Sequence, residues 1–163
     1  MSETVTFSIE NHVARLTLNN PEKHNALGRK ELDALRSAVA EVAASDSVRV
    51  LVLTGEGDKT FCAGASLQEL NAGEIRGDDY QDMTDAIADL AIPTVCAISG
   101  NVFGGGVELA LSCDFRIGIE GTRMRVPAAS IGLCYPVRGI ERFVQRLGPG
   151  VAKRILVASE TLN

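Results

Sequence analysis

Tryptophan is absent from the 163 residues, aromatic residues amount to 4%, and the only histidines are His12 and His24. Each scarcity closes off a kind of chemistry. With few flat rings there is no platform on which nucleic-acid bases could stack. Acidic side chains (21) outnumber basic ones (16), giving a net charge of −5 and a pI near 5.1, which argues against a surface that wraps a polyanion. A local basic spot holding one phosphorylated ligand is still compatible with that balance. The cysteines, Cys62, Cys96, Cys113 and Cys134, are dispersed with no CxxC pair and no neighbouring histidine. This speaks against structural zinc and a catalytic thiolate, and for reduced, mostly buried thiols in a cytoplasmic protein. No apolar run is long enough to span a bilayer. Residues 1–20 alternate and carry Glu3, Glu10 and Arg15, unlike a signal or transit peptide. GxGxxG after a strand, GxxxxGK[ST] and GxSxG are all missing, so a dinucleotide fold, a P-loop and an α/β-hydrolase elbow have no support.

What remains is an ordinary soluble composition, 45% hydrophobic and 23% charged, at a length that fits one domain with a real core. Val5–Glu10 and Val13–Leu18 alternate around Asn11-His12, the pattern of a β-hairpin. A helix is expected over about residues 29–45, where Leu32, Leu35, Val39 and Val42 make one apolar stripe. Val48–Thr54 is nearly all apolar and β-branched and reads as a strand buried on both faces. Residues 71–79 read as a mobile polar loop. Tyr80, Met83, Ile87 and Leu90 form another helical stripe, read as core. After strands at 115–119 and 123–127, two helical pieces, 140–147 and 151–158, flank Gly148-Pro149-Gly150. Strands alternating with helices imply an α/β fold.

The stretch ISGNVFGGGVELALSCD, residues 98–114, concentrates the chemistry. Gly104-Gly105-Gly106 gains nothing from side-chain packing and costs backbone entropy, so it suggests a place where a ligand approaches the main chain. Free N–H groups at a helix start suit developing negative charge. Glu108, three residues past the middle glycine, is expected to face the same cavity. Phe61-Cys62-Ala63-Gly64-Ala65-Ser66-Leu67 has the same strand, small-residue, helix character. His24 reads as a solvated loop residue.

Taken together, PEKHNAL (21–27), FCAGA (61–65), ISG (98–100), GGGVELA (104–110), CDFR (113–116) and the segment 127–132 resemble the crotonase superfamily, the enoyl-CoA hydratases and isomerases. The resemblance runs from about Val5 to the C-terminus. It implies an α/β spiral of ββα units with stacked perpendicular sheets around a deep acyl-CoA pocket. It makes the Ala65 and Gly105 N–H groups the oxyanion hole for the thioester enolate and Glu108 an acid/base. Lys23, Ala26, Ala63 and Leu67 fall on the coenzyme A path. No separate cofactor or metal is implied, since coenzyme A is part of the substrate. The implied assembly is a homotrimer or a dimer of trimers, and no nucleic-acid or membrane partner is expected.

The chain also departs from the family pattern. Ala128 stands where hydratases carry their second glutamate, and alanine cannot move a proton, so efficient hydration or ordinary isomerisation is not expected. Tyr135-Pro136-Val137-Arg138 replaces small residues and glycines; Arg138 reads as a surface cation, with a substrate carboxylate as the other possibility. Ser66 replaces an aspartate with little effect on helix capping. Family members continue into C-terminal helices that cover the pocket, whereas this sequence ends at Asn163. Residues 1–163 are therefore expected to be a single core domain with an opened pocket and apolar surface that favours self-association. Variant chemistry on the thioester (hydrolysis, C–C cleavage, decarboxylation) and a non-catalytic acyl-CoA-binding or assembly subunit both follow as readings. A Clp-type serine peptidase does not, because both histidines precede any suitable nucleophile.

Overall fold

The computed structural model describes residues 4–163, so Glu3 lies outside the described residues. The alternating N-terminal segment forms the hairpin of β1 (Val5–Glu10) and β2 (Val13–Leu18), with Glu10 opposite Val13. Asn11 and His12 both adopt positive φ, 49° and 68°, which a two-residue turn needs to follow the strand twist. Beyond the hairpin the pairings between the described strands are parallel, and an isolated antiparallel bridge ties Met124 to Leu162. β3 (Val50–Gly55), β5 (Thr94–Ile98) and β7 (Phe115–Gly118) extend the hairpin into a five-stranded sheet of order β1-β2-β3-β5-β7. A smaller sheet holds β4 (Thr60–Cys62), β6 (Asn101–Phe103) and β8 (Met124–Arg125) in that order.

Five helices alternate with these strands: α1 (Arg29–Ala44), α2 (Leu67–Ala72), α3 (Gly77–Ala88), α4 (Gly105–Ser112) and α5 (Val137–Leu156). Three times in succession the chain lays a strand in the large sheet, a strand in the small sheet, and then helix. This is the ββα repeat the resemblance implies. It has a geometric consequence for the site: β4 and β6 are parallel neighbours, with Cys62 opposite Val102. The loops that leave them, 63–66 and 103–105, therefore emerge side by side at the carboxyl end of the small sheet, the usual place for a ligand in such folds.

Leu32, Leu35, Val39 and Val42 of α1 are buried, as are Met83 and Ile87 of α3, and α1 packs against both the hairpin and α3. The segment Gly148-Pro149-Gly150 interrupts α5, where Gly148 has φ 76°, so the two expected helical pieces are joined across a kink. None of the described helices is long and apolar enough to cross a membrane.

Two expectations need correction. β3 is not buried on both faces: Leu51 and Leu53 are fully buried while Val50 and Val52 are half-buried. The same alternation runs across the sheet through the rows Val52–Val95–Phe115 and Thr54–Ala97–Ile117. It ends in Phe115 and Ile117, 58% and 67% exposed. An apolar run satisfies a parallel strand whether one face or both are covered, and here the second face is only partly covered. The polar segment 71–79 is mostly helix, since α2 reaches Ala72 and α3 begins at Gly77. Its polar residues act as ties. Arg29 donates to both oxygens of the Asp79 carboxylate (3.1 and 2.8 Å) and to the Glu74 carbonyl (3.2 and 2.9 Å). The Arg76 N–H donates to Asp79 at 2.8 Å, closing the first turn of α3.

Candidate active site

The loop entering α1 is built around Asn25, which is buried. Its Nδ2 donates to the carbonyls of Glu56, Thr60 and Phe61 (3.1, 2.9 and 3.1 Å), and its Oδ1 accepts from the Asn20 N–H (2.9 Å). His24 and Asn25 both take positive φ. This holds residues 24–27 alongside 63–66: the Ala63 N–H donates to His24 O, the Leu27 N–H to Gly64 O and the Ser66 N–H to Leu27 O, at 2.9, 2.8 and 2.8 Å. Ala26 and Ala63 are half-buried along this seam, with exposed Lys23 and Leu67 at its ends. His24 is exposed, with Nδ1 3.0 Å from Thr60 Oγ1. Ser66 caps α2 by accepting from the Glu69 N–H, as its hydroxyl permits.

The glycine triplet meets this seam main chain to main chain. Gly104, with φ 52°, turns the chain into α4, and Gly64, with φ 87°, turns it toward α2. A Cβ on Gly64 would stand 2.4 Å from the Gly105 nitrogen, and one on Gly106 would stand 2.4 Å from the Cys62 carbonyl oxygen. A Cβ on Gly105 would stand 2.6 Å from Tyr80 Cζ. Protein contacts alone thus require small residues at these positions. Among the described residues, neither the Ala65 nor the Gly105 N–H is donated to a protein acceptor. Two unused donors lie on segments in direct contact, one at the start of a helix whose dipole favours negative charge.

Glu108 is 2% exposed and is not alone. Its Oε1 accepts from Arg142 (3.0 Å) and from the Thr84 hydroxyl (3.4 Å). Arg142 also donates to Thr84 (2.8 Å) and pairs with Asp85, to which Arg138 pairs as well. Gln81 donates to Thr84 and Asp85 (3.3 and 3.1 Å). A Cβ on Gly139 would lie 3.0 Å from Glu108 Oε1, so α5 sits flush against the carboxylate. Burial pushes the Glu108 carboxyl above its usual range; Arg142 and hydrogen bonds from Thr84 and Gln81 oppose that shift, and Asp85 reinforces it. The sequence reading singled out Glu108 but none of Gln81, Thr84, Asp85 or Arg142. A signal existed in the three- and four-residue spacing of the polar residues 81, 84 and 85 beside the apolar stripe of α3. Arg138, whose side chain is 60% exposed, serves Asp85.

Ala128 is buried at the start of a short 3-10 turn, Ala129–Ile131. The Cys62 thiol is pushed up to about 12 by burial and donates to the Asn25 carbonyl at 3.3 Å, so it is a protonated, structural group. Tyr135 packs edge-on against Phe143, with ring centroids 5.6 Å apart.

The sequence profile of the enoyl-CoA hydratase/isomerase family matches residues 8–163. Crotonyl-CoA hydratase of Syntrophomonas wolfei is 34% identical over 166 residues, covering 99% of this chain and 64% of the relative. Short-chain-enoyl-CoA hydratase of Clostridium acetobutylicum is 30% identical over 159 residues, covering 94% and 61%. Among solved structures, DspI of Pseudomonas aeruginosa superposes with a TM-score of 0.91 at 31% identity, covering 99% of this chain and 63% of that one. The chain belongs to the enoyl-CoA hydratase/isomerase family and has its crotonase-type α/β fold. It spans about three fifths of the length of these relatives.

Proposed function

We propose that this chain binds an acyl-CoA thioester and stabilises its enolate between the Ala65 and Gly105 N–H groups, with Glu108 as the single acid/base. The observation that carries the reading is the pair of unused main-chain donors on two segments in contact through Gly64. When a proton leaves the carbon next to a thioester, charge moves to the carbonyl oxygen, and two fixed donors hold it without reorganising. Loss of one such donor typically costs about 3 kcal/mol of transition-state stabilisation. Glu108 takes or returns the proton: Arg142 favours its carboxylate form and burial its acid form, and the net raised pKa suits exchange in both directions. Lys23, Ala26, Ala63 and Leu67 follow the nucleotide and pantetheine of coenzyme A along the seam between the two loops. The reading takes the assembly as a homotrimer or dimer of trimers, the setting as cytoplasmic and the metabolism as that of fatty acids, all by family likeness.

A second reading, a non-catalytic acyl-CoA-binding subunit, is favoured by Ala128 and by the engagement of Glu108 with Arg142. Calorimetric titration decides whether the hole works: acetoacetyl-CoA, which enolises readily, should bind much more tightly than free coenzyme A. Equal binding contradicts the enolate reading. In a panel of acyl-CoA hydration, isomerisation, hydrolysis and decarboxylation assays, Glu108→Gln should retain binding and lose about 10² to 10⁴ in turnover. Acyl-CoA binding without any Glu108-dependent turnover would establish the binding subunit instead.

A further inference from the structure

Tyr80 is 6% exposed, and its hydroxyl is buried with no hydrogen-bond partner in the protein. A buried, unpaired O–H is uncommon in a folded chain and points to a partner that arrives from outside. The phenol lies against the residue expected to supply one of the oxyanion donors, since a Cβ on Gly105 would stand 2.7 Å from the hydroxyl oxygen. Gly105 thus leaves the space that the end of the ring fills, which sets the O–H beside the free start of α4. Burial keeps the phenol protonated, and the ionisable groups of Cys62, Glu108 and Tyr135 act in the same direction. The group is therefore a donor at neutral pH.

We propose that the Tyr80 hydroxyl is a third donor to the thioester oxygen of the bound acyl-CoA, completing a hole of two main-chain N–H groups and one phenol. The assignment rests on the enolate reading above. It gives a specific role to a residue whose spacing in the sequence marks it only as core. It also gives Gly105 two jobs, offering its own N–H and, by having no side chain, admitting the phenol.

Tyr80→Phe keeps the ring and removes only the donor. In calorimetric titrations, the variant should bind free coenzyme A as the wild type does and bind acetoacetyl-CoA about ten- to a hundredfold more weakly. Its complex should also show a weaker ultraviolet absorbance of the enolate. The ligand-free variant should melt at or above the wild-type temperature, because no internal hydrogen bond is lost. Unchanged acetoacetyl-CoA affinity and absorbance would overturn the assignment while leaving the two N–H donors in place. A clear fall in melting temperature would overturn it too, by showing that the hydroxyl is paired within the protein. If the wild type itself does not distinguish acetoacetyl-CoA from free coenzyme A, the enolate reading fails, and the assignment fails with it.

Discussion

At Glu108 burial and charge pull the carboxyl in opposite directions. Burial favours its neutral acid; Arg142, Thr84 and Gln81 favour the carboxylate; the balance lies above the ordinary carboxylate range. A carboxyl whose pKa is raised by folding binds its proton more tightly in the native chain than in the unfolded one. Its contribution to stability is therefore full below about pH 4.5 and is lost as pH rises through the native pKa. Glu108→Gln removes that dependence. In urea unfolding at a series of pH values, the stability of the variant minus that of the wild type should rise as pH increases above the ordinary carboxylate range. A difference that is flat or falls with pH would mean the native carboxyl is not shifted upward. At this scale the sequence was informative where chemistry is local: the glycine triplet and Glu108 lie within five residues, and their relation needs no tertiary contact. Arg142 and Asp85 are 57 residues apart, and only the packing of both α3 and α5 against α4 makes one the partner of the other.

The elements α3, α4 and α5 meet at Arg142, which reaches Thr84 and Asp85 on α3 and Glu108 on α4. Its side chain is 11% exposed, as is that of Asp85, and that of Glu108 is 3% exposed. Removing one member of such a cluster leaves buried charge without compensation. Arg142→Met should therefore destabilise the fold by about 3–5 kcal/mol in chemical denaturation. A loss under about 1 kcal/mol would indicate that the cluster is solvated and behaves like a surface ion pair. Helices α1 and α3 were legible because a stripe at three- and four-residue spacing is a property of the segment itself. The helical start at Gly77 was not. The polar residues before Tyr80 resemble a loop until Arg29, far away in the chain, is seen to hold Asp79 and the Glu74 carbonyl.

Across the whole molecule, alternation between two sheets assembles the site. From β3 onward each ββα unit sends its first strand into the large sheet and its second into the small one, so segments forty residues apart leave adjacent parallel strands together. Much of the order of strands and helices was readable from hydrophobic period and glycine punctuation, but the three-residue strand β6 was too short to show a period of its own. Which faces are covered was not, because the apolar rows of β3, β5 and β7 look alike in sequence whether covered or open. Phe115 and Ile117 lie at the open end of those rows.

The central claim is that this topology turns two distant peptide N–H groups into one binding site for a thioester enolate. Amide NMR of ¹⁵N-labelled protein tests it most directly. On titration with acetoacetyl-CoA, the Ala65 and Gly105 proton resonances should move downfield together, with one binding curve, and should not do so with free coenzyme A. Resonances that stay in place, or that respond equally to free coenzyme A, would contradict the account.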